Sequence, residues 1–348
     1  MTKTIYVAPL HGPGGIARYA QELSRELFHQ AAAPHRSIAL RSAPPRFASR
    51  LEGGKGRFSR YLGEQIVSPW ASRSADAIQL FDHRPMLGST KPFVLTVHDV
   101  FFLDRPEWFP PTVQRYKRAM LALALRRYPR AIVCVSEYVR SRLVAHYPEM
   151  DHGVVRVIPP GLARPGTTTP PDDAGTYFLT VSVLEPKKNY ETLLAAYRRA
   201  KAGGLDMRWK VAGSYGYFGE RIAAKLRGEP GVDLIGHAGP VELERLYAGA
   251  VFVTSPSIVE GFGFPALEAM RRGVPLACST GSAYDETAGD AALRCDALDV
   301  AAWERALLRL GGDPALRSAL RDAGVRRARA YTWRRSAERH LDLYDEVF

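Results

Sequence analysis

Short apolar runs alternate with longer amphipathic segments along the whole chain. In the first half, "KTIYVAPL", "KPFVLTVHDV" and "RAIVCVS" predict buried strands. "GGIARYAQELSRELFHQ", "VQRYKRAMLALALRRY" and "EYVRSRLVAHY" carry apolar residues at helical spacing and predict helices. This alternation indicates an α/β fold with a doubly wound parallel sheet.

A break in the pattern divides the chain. Residues 159–175, "PPGLARPGTTTPPDDAG", hold five prolines and three glycines, which is typical of a linker. After it, "TYFLTVSVL", "RWKVAGS", "VDLIG", "VFVTSPS" and "VPLACS" predict further strands with helices between them, and the tail from about residue 314 is predicted to be helical. We therefore expect two α/β domains, residues 1–165 and 175–332, with a ligand site in the cleft between them.

Composition and charge narrow the class of protein. The 348 residues are 46% hydrophobic and 24% charged, as in an ordinary globular protein, and the formal charge of +12 favours anionic partners. The start has too short an apolar run for a signal peptide, and no eighteen apolar residues follow one another. Cys134, Cys278 and Cys295 have no metal-ligand spacing. We expect buried, reduced cysteines in a cytoplasmic protein that is at most peripheral to a membrane.

The run "IVEGFGFPALEAM" carries the strongest chemical signal. It places Glu260 and Glu268 eight residues apart, with Gly261, Gly263 and Pro265 between them. A strand precedes it, and the proline suits the first turn of a helix. A helix N-terminus attracts phosphate, whereas a carboxylate suits a vicinal diol. Together they suggest a sugar nucleotide; alternatively, either glutamate alone only stabilises the start of the helix.

A second cluster follows the first strand after the linker. In "LEPKKNYETLL", Lys187 and Lys188 can offset diphosphate charge, and Asn189 is a candidate helix N-cap. The alternative is a solvated lysine pair on the surface. The chain contains no D-x-D sequence, so we predict no metal site.

These residues resemble a known family. "EGFGFPALEAMRRGVP" is similar to the E-x7-E signature of retaining glycosyltransferases of family 4, and the resemblance extends through "VSVLEPKKNYETLLAAY", "LIGHAGPVELERLYAGAVFVTSPS" and "VHDVFFLDRPEWF". It implies the GT-B fold, in which two Rossmann-like doubly wound parallel-sheet domains face each other across a cleft. It also implies that a C-terminal helix, about residues 333–348, packs back on the N-terminal acceptor-side domain.

The resemblance assigns roles around the signature. Glu260 would contact hydroxyl groups of the donor sugar, and Glu268 would hold the ribose diol. Backbone at Gly263, Phe264 and Pro265 would lie near the sugar and the phosphates.

It also assigns roles to the cations. Lys188, with Lys187 beside it, would bind the diphosphate and stabilise the departing nucleotide. Many members have a further arginine six positions before the lysine; here that position is Ser182, which leaves more of the phosphate charge to the two lysines.

The remaining implied site residues lie elsewhere in the chain. His98 would sit near the donor sugar; its alternative role is a buried structural hydrogen bond. Gly14 and Gly15 would lie beside phosphate or acceptor, and Gly236 and His237 would border the base. The catalytic set implied is therefore His98, Lys188 and Glu260.

For members of this family the reaction retains the anomeric configuration, and no carboxylate nucleophile is evident. We infer a front-face displacement in which the leaving diphosphate helps to accept the acceptor's proton. The resemblance to bacterial mannosyl- and rhamnosyl-transferases favours GDP-mannose as the nucleotide-sugar donor. The acceptor would be a glycan or a polyprenyl-linked glycan of surface polysaccharide or lipopolysaccharide biosynthesis, with no metal or other cofactor required.

Three alternatives compete. "GPGGIA", residues 12–17, follows a strand, opens a helix and, with Arg41, fits an NADP-dependent oxidoreductase. A GT-B sugar-nucleotide epimerase or a phosphorylase shares the fold. The basic segments 46–63 and 115–130 could bind RNA, but we favour contact with an anionic membrane and no nucleic-acid partner; alternatively they are solvated helix faces.

Overall fold

The computed structural model describes residues 2–8, 10, 14–32, 38–42, 68–166 and 168–348. It divides the chain into two compact units. The first comprises Met1–Pro106, Pro111–Ala163 and Tyr331–Phe348, and the second comprises Glu107–Pro110 and Arg164–Ala330.

The first unit is built on a parallel sheet of six described strands in the order β2-β1-β3-β4-β5-β6. The strands are β1 (Lys3–Val7), β2 (Ile38–Arg41), β3 (Ala77–Leu80), β4 (Phe93–Val97), β5 (Ala131–Cys134) and β6 (Val155–Val157). β3, β4 and β5 are buried along their whole length. This burial accounts for their mainly apolar sequences, since a parallel sheet is covered on both faces. Their two polar side chains bond to each other, with Gln79 Nε2 donating to Thr96 Oγ1 at 3.1 Å.

Helices flank this sheet. They are α1 (Gly15–Ala31), α2 (Phe101–Asp104), α3 (Pro111–Arg126), α4 (Glu137–His146) and, at the C-terminus, α12 (Trp333–Val347). The C-terminal helix packs against α1, where Trp333 meets the ring of Tyr19 edge-on at 5.5 Å. Farther along, the Tyr344 hydroxyl donates to Oε1 of Gln79 at 2.7 Å. Residues 331–348 therefore belong to the first unit's core although they are last in the chain.

The second unit has a parallel sheet of six described strands in the order β12-β11-β10-β7-β8-β9. The strands are β7 (Tyr177–Val181), β8 (Arg208–Ala212), β9 (Val232–Gly236), β10 (Val253–Ser255), β11 (Leu276–Ser279) and β12 (Leu293–Cys295). Its helices are α5 (Tyr190–Ala202), α6 (Gly219–Arg227), α7 (Pro240–Gly249), α8 (Phe264–Arg271), α9 (Tyr284–Thr287), α10 (Val300–Gly312) and α11 (Pro314–Ala328).

An aromatic stack forms part of this unit's core. Phe178 lies parallel to Phe252 at 5.0 Å and to Trp209 at 5.8 Å between ring centroids. All three side chains are fully buried. Because they come from β7, β8 and the residue before β10, the stack fixes the central strands against one another.

The α/β class with two parallel sheets is confirmed, as are the strands and helices predicted from the longer patterns. Four short strands, β2, β3, β6 and β12, were not predicted. Each has three or four residues, one of which is polar (Arg41, Gln79, Arg156 and Arg294), so no continuous apolar run marks it. The three cysteines are buried, as expected.

Candidate functional site

The loops that follow β7, β8, β9 and β10 meet at the carboxyl edge of the second sheet. Parallel strands bring such loops to one edge, which is where α/β sheets bind ligands. Backbone hydrogen bonds join the loops: Leu184 N to Ser214 O (2.9 Å), Gly213 N to Gly236 O (2.7 Å) and Ile258 N to Lys187 O (2.8 Å). The second-unit residues predicted for the site are therefore placed along one edge.

Lys188 and Glu260 meet at this edge. The Lys188 ammonium donates to Oε1 of Glu260, and Ser257 Oγ donates to the same oxygen at 2.9 Å. Each side chain of the ion pair is 12% exposed. Burial alone would raise the pKa of Glu260, but the charges of Lys188 and Lys187 and the hydrogen bonds outweigh it, so its pKa is lowered. Glu260 is thus an anionic acceptor at neutral pH.

The neighbouring Lys187 makes a different contact. Its ammonium lies 3.5 Å from a carboxylate oxygen of Glu185. Ser182, at the position of the family's arginine, exchanges hydrogen bonds with Tyr190: the two hydroxyl oxygens are 2.6 Å apart, and the Tyr190 hydroxyl lies 3.0 Å from the Ser182 carbonyl. Ser182 is therefore a structural residue here.

Asn189 corrects one expectation. It occupies the N-cap position of α5, but its side chain accepts from no backbone N–H there. Instead its amide donates to the carbonyls of Pro256 (3.0 Å) and Ala297 (2.5 Å), and its oxygen accepts from Thr192 Oγ1 at 2.7 Å. A left-handed backbone at Asn189, with φ of 57°, turns the side chain this way. The residue fastens the lysine loop to the loop after β10.

The predicted helix after the signature begins and ends as expected. Phe264 opens α8 and Pro265 lies in its first turn. At the other end, Gly273 N donates to Met270 O and Val274 N to Ala269 O, the two bonds of a Schellman motif.

Glu268 lies one turn into α8 and is buried. The Tyr247 hydroxyl lies 3.4 Å from its Oε2 and 3.3 Å from the carbonyl of Pro265. The carboxylate therefore lies alongside the first turn of the helix, while Glu260 lies on the loop before it.

The backbone of Gly263 lies so close to the ring of Tyr284 that no side chain fits between them. Its φ is 85°, and a Cβ added there would lie 2.4 Å from a ring carbon of Tyr284. Burial raises the pKa of the Tyr284 phenol well above its ordinary value, and the Glu260 charge adds to this effect. Neither Tyr284 nor Ser257 was predicted from the sequence, because nothing in their local pattern marks a contact with the signature loop.

The residues predicted to border the base of the nucleotide lie at the end of β9. Gly236 is the last residue of that strand, and His237 is exposed immediately after it. Nδ1 of His237 is 3.5 Å from Ser214 Oγ, on the loop after β8.

The other predicted residues lie in the first unit. His98 follows β4, and its Nε2 donates to the Phe81 carbonyl at 2.9 Å. Its ring meets that of Tyr19 edge-on at 4.6 Å. Burial lowers the pKa of His98, although the Phe81 carbonyl and nearby carboxylates partly oppose this, so the imidazole is neutral at physiological pH.

Gly14 is the N-cap residue of α1 and Gly15 is its first residue, at the carboxyl end of β1. Of the "GPGGIA" sequence, residues 12 and 13 lie outside the described residues, as does the whole basic segment 46–63. Arg41, considered for NADP, donates to Ser74 Oγ at 3.0 Å.

The part of the chain that the structure describes holds neither a cluster of metal ligands nor a membrane-spanning helix. There, no three His, Cys, Asp or Glu side chains are grouped so that they could hold a metal ion, and metal independence stays a prediction. None of the helices found in the same ranges is both long and apolar enough to cross a bilayer.

Comparisons with known proteins identify the family. Residues 168–327 match the family "Glycosyl transferases group 1", and residues 13–163 match "Glycosyltransferase Family 4". The two matches together span most of the chain. The chain belongs to this family of glycosyltransferases, and it is therefore an enzyme of the transferase class.

Individual relatives agree with the family. O-antigen chain mannosyltransferase B of Escherichia coli is 28% identical over 270 residues, covering 72% of this chain and 69% of that protein. D-inositol 3-phosphate glycosyltransferase of Salinispora tropica is 27% identical over 416 aligned positions, covering 99% and 85%. The crystal structure of Anabaena HepE in complex with UDP and glucose superposes with a TM-score of 0.74 at 15% identity, covering 99% of this chain and all of that one. The two-sheet fold is the GT-B fold, which confirms the predicted fold class.

Proposed function

We propose that this enzyme transfers mannose from GDP-mannose to a glycan or polyprenyl-linked glycan acceptor of bacterial surface polysaccharide, with retention of configuration and without a metal ion. The observation that carries the proposal is the Lys188–Glu260 pair at the carboxyl edge of the second sheet. A cation and an anionic acceptor side by side suit the two parts of a nucleotide sugar, its diphosphate and its sugar hydroxyls.

Lys188 is the proposed diphosphate ligand. An ammonium group has three N–H donors, and Glu260 is its ion-pair partner. The remaining donors suit phosphate oxygens, and Lys187 adds a second charge from the adjacent position. As negative charge builds on the leaving diphosphate, these two cations stabilise it in a partly buried site.

Glu260 is the proposed ligand for the sugar. Both of its side-chain hydrogen bonds go to Oε1, and within the described ranges Oε2 accepts none. Because the lowered pKa keeps the group ionised, Oε2 accepts hydrogen bonds and donates none. Hydroxyl groups of a hexose fit that requirement.

Glu268 is the proposed ligand for the ribose. Glu268 lies alongside the first turn of α8, at the Tyr247 hydroxyl. With the ribose bound there, the rest of the nucleotide sugar would lie along the N-terminus of the helix. The positive end of the helix then faces the phosphates.

His98 is the proposed fourth contact. With Nε2–H donated to Phe81, a neutral imidazole carries its lone pair on Nδ1. We propose that this nitrogen accepts a hydrogen bond from a sugar hydroxyl, a positioning task that needs no proton transfer.

The proposed reaction is a front-face displacement. The bond between the anomeric carbon and the diphosphate oxygen breaks, and the acceptor oxygen bonds to the same face of that carbon. The acceptor's proton moves to the departing diphosphate, so the protein supplies orientation and electrostatic stabilisation. This scheme is supported by the contacts of Glu260. Lys188 and Ser257 hold its carboxylate in place, so we assign it to binding the donor and not to nucleophilic attack.

The choice of mannose is supported by the relative described as an O-antigen chain mannosyltransferase. The structural neighbour with UDP and glucose makes UDP-glucose the competing donor to test. Because the chain belongs to a family of glycosyltransferases, we favour the transferase function over an NADP-dependent oxidoreductase or an epimerase.

The test is a donor screen on the purified enzyme. Binding of GDP, UDP, dTDP and ADP is measured by titration calorimetry, with and without EDTA, followed by transfer assays with the corresponding sugar nucleotides and a short polyprenyl-linked glycan. We expect GDP to bind best, EDTA to leave binding unchanged, and NMR of the product to show the donor's anomeric configuration. Preference for UDP would contradict GDP-mannose as the donor. Binding that EDTA weakens would contradict metal independence, and a product with inverted configuration would contradict the front-face mechanism.

A further inference from the structure

The loop after β3 carries an aspartate and a histidine that the proposed reaction does not use. Asp82 and His83 follow the end of β3 at the carboxyl edge of the first sheet. The loop after β4 lies against the same segment, since Nε2 of His98 donates to the carbonyl of Phe81 at 2.9 Å. His83 and His98 therefore lie on adjacent loops at the edge where α/β sheets bind ligands.

Asp82 holds the ring of His83 in one orientation. Nδ1 of His83 lies 2.6 Å from Oδ1 of Asp82, and Nε of Arg84 donates to the other carboxylate oxygen at 2.8 Å. Burial would raise the pKa of this carboxyl, but His83, Arg84 and Lys117 outweigh it and hold the pKa well below its ordinary value. Because an ionised carboxylate only accepts hydrogen bonds, Nδ1 of His83 carries a proton.

The other ring nitrogen, Nε2, is the distinctive atom of His83. It is buried, and among the residues that the structure describes no group forms a hydrogen bond with it. With the proton on Nδ1, Nε2 of the neutral ring carries a lone pair. A buried acceptor without a donor costs free energy, so such an atom calls for a ligand that supplies the donor.

The surroundings of the imidazole favour an uncharged ligand. The ring of Phe102 lies 5.5 Å from that of His83, inclined at 32°, and the ammonium of Lys117 is 5.5 Å from the centre of the Phe102 ring. Lys117 and Arg84 would repel a metal ion, whereas an anion would face the lone pair of Nε2 and the charge of Asp82. A hydroxyl group meets both conditions, because it donates a hydrogen bond without carrying a charge.

We propose that His83 is an acceptor-binding residue, whose Nε2 accepts a hydrogen bond from a hydroxyl group of the acceptor glycan. In the proposed reaction the attacking hydroxyl gives its proton to the departing diphosphate, so the hydroxyl that His83 binds is a neighbouring one. His83 thus orients the acceptor, and Asp82 is a positioning residue that fixes the ring and its tautomer. The inference rests on the proposed function in one respect, because it takes a hydroxyl-bearing glycan as the acceptor.

Access to Nε2 runs past α2. The His83 side chain is 10% exposed, so the imidazole lies just below the surface. Phe102, beside it, belongs to α2, a single turn of four residues. Loops and short turns commonly shift when a ligand binds, so we expect Phe102 to move aside as the hydroxyl enters.

The kinetic test replaces His83 in two ways. In His83→Asn the amide nitrogen takes the place of Nδ1 and keeps the bond to Asp82, while nothing replaces Nε2. In His83→Gln the longer amide reaches the position of Nε2 and can accept a hydrogen bond there. With the glycan varied at saturating donor, His83→Asn should lower kcat/KM for the acceptor about three- to ten-fold, the size of one hydrogen bond between uncharged groups. His83→Gln should recover part of that loss.

These variants distinguish a ligand from a purely structural pair. A structural pair needs only the bond to Asp82, which His83→Asn keeps, so wild-type kinetics for the acceptor in that variant would overturn the inference. The affinity for the nucleoside diphosphate, measured by calorimetry, should be unchanged in both variants. A fall in that affinity as large as the fall in kcat/KM would also overturn it, because the loss would then not be specific to the acceptor.

A matched control removes a similar contact elsewhere in the first unit. Nε2 of His146 lies 2.7 Å from Oδ1 of Asp104, which Nε of Arg142 also contacts at 3.1 Å. His146→Asn breaks the first contact and leaves the second, so kcat/KM for the acceptor should stay at the wild-type value. A loss equal to that of His83→Asn would mean that the kinetics report on the packing of the loops, and would overturn the assignment of His83.

A binding experiment does not depend on transfer. Nitrogen NMR follows the His83 ring while the short polyprenyl-linked glycan of the donor screen is added to the full-length enzyme without donor. We expect the Nε2 resonance to shift as the glycan is added, and Nδ1 to keep its proton. A shift without any transfer from GDP-mannose would support the inference and contradict the proposed function. Transfer without a shift at saturating glycan would support the proposed function and overturn the inference, as would a proton on Nε2 in place of Nδ1.

Discussion

The ammonium of Lys188 and the carboxylate of Glu260 form a partly buried ion pair whose members are 72 residues apart in the chain. Lys188 is the last residue of a short 3-10 turn after β7, and Glu260 is on the loop after β10. The pair therefore connects the two loops that the enzyme is proposed to use for its donor. Ser257, on the same loop as Glu260, donates to the same carboxylate oxygen and holds it in place.

The first prediction concerns the stability of this pair. Lys188→Met leaves a carboxylate that is 12% exposed without its partner, so the free energy of unfolding should fall by about 2–4 kcal/mol. Adding Glu260→Gln removes the stranded charge and should recover at least half of the loss. Urea unfolding of the two single variants and the double variant measures the coupling.

The exposed pair of Lys225 and Glu191, 2.6 Å apart, is the control for that cycle. Lys225→Met should cost less than about 1 kcal/mol, because solvent screens such pairs. Equal losses for Lys188→Met and Lys225→Met would contradict the first prediction.

The second prediction separates the two glutamates by function. Glu260→Gln should leave the affinity for the nucleoside diphosphate equal or tighter, because Lys188 loses a competing anion, while kcat/KM falls by about a hundred-fold. Glu268→Gln should weaken nucleotide binding about ten-fold or more, since a hydrogen bond to a charged group is worth about 1.5–3 kcal/mol. Calorimetry with the bare nucleotide and steady-state kinetics with the sugar nucleotide give the two readouts. Unchanged affinity and turnover in both variants would contradict the assignment of Glu260 to the sugar and of Glu268 to the ribose.

The third prediction concerns Gly263. Gly263→Ala incurs the left-handed backbone cost and also forces a Cβ to within 2.4 Å of Tyr284, so it should destabilise the protein by more than about 2 kcal/mol. Gly281 has a similar φ of 79°, but a Cβ added there would meet no heavy atom within 4 Å, so Gly281→Ala should cost only about 1 kcal/mol. Equal urea midpoints for the two variants would show that the contact with Tyr284 relaxes without cost.

Local signals made the signature helix predictable. Pro265 at its start and Gly273 at its end both act through their own backbone geometry, so adjacent sequence was enough to place α8. The apolar runs of β4 and β5 were predictable in the same way, because burial on both faces leaves Thr96 as their one polar side chain.

Long-range contacts were not predictable in the same way. The sequence suggested that Asn189 caps a helix, but its amide reaches the carbonyls of Pro256 and Ala297, which are distant in the chain. Ser257 and Tyr284 likewise touch the signature loop only because the sheet brings their elements together. Pattern and spacing report on a residue's neighbours in sequence, so partners supplied by the fold stay hidden.

The fourth prediction concerns the pH dependence of the reaction. Burial lowers the pKa of His98, so the neutral form that we assign to it persists below pH 6.5. If Nδ1 accepts a hydrogen bond from the donor, kcat/KM should stay level as pH falls through 6.5 and decline only below that. His98→Asn should lower kcat/KM while preserving the fold. Nitrogen NMR of the imidazole should show a proton on Nε2 at pH 7; a proton on Nδ1 would contradict the assigned tautomer.

His340 supplies the last prediction, on stability against pH. It is fully buried on the C-terminal helix, where its Nδ1 donates to the Ser336 carbonyl at 2.8 Å and its Nε2 lies 3.5 Å from the Tyr19 hydroxyl. Burial lowers its pKa to about 4, against about 6.5 for an unfolded histidine. Between these values the unfolded chain binds a proton that the folded protein does not, so the free energy of unfolding falls as pH drops.

The wild type should therefore lose roughly 3 kcal/mol more than His340→Leu between pH 6.5 and 4, because every other titrating group is common to both proteins. Urea unfolding at half-unit pH steps measures the difference. The exposed His152 is the control, and His152→Gln should follow the wild-type curve. Parallel curves for wild type and His340→Leu would mean that His340 takes up its proton in the folded protein, and that the packing of α12 on α1 leaves room for the charge.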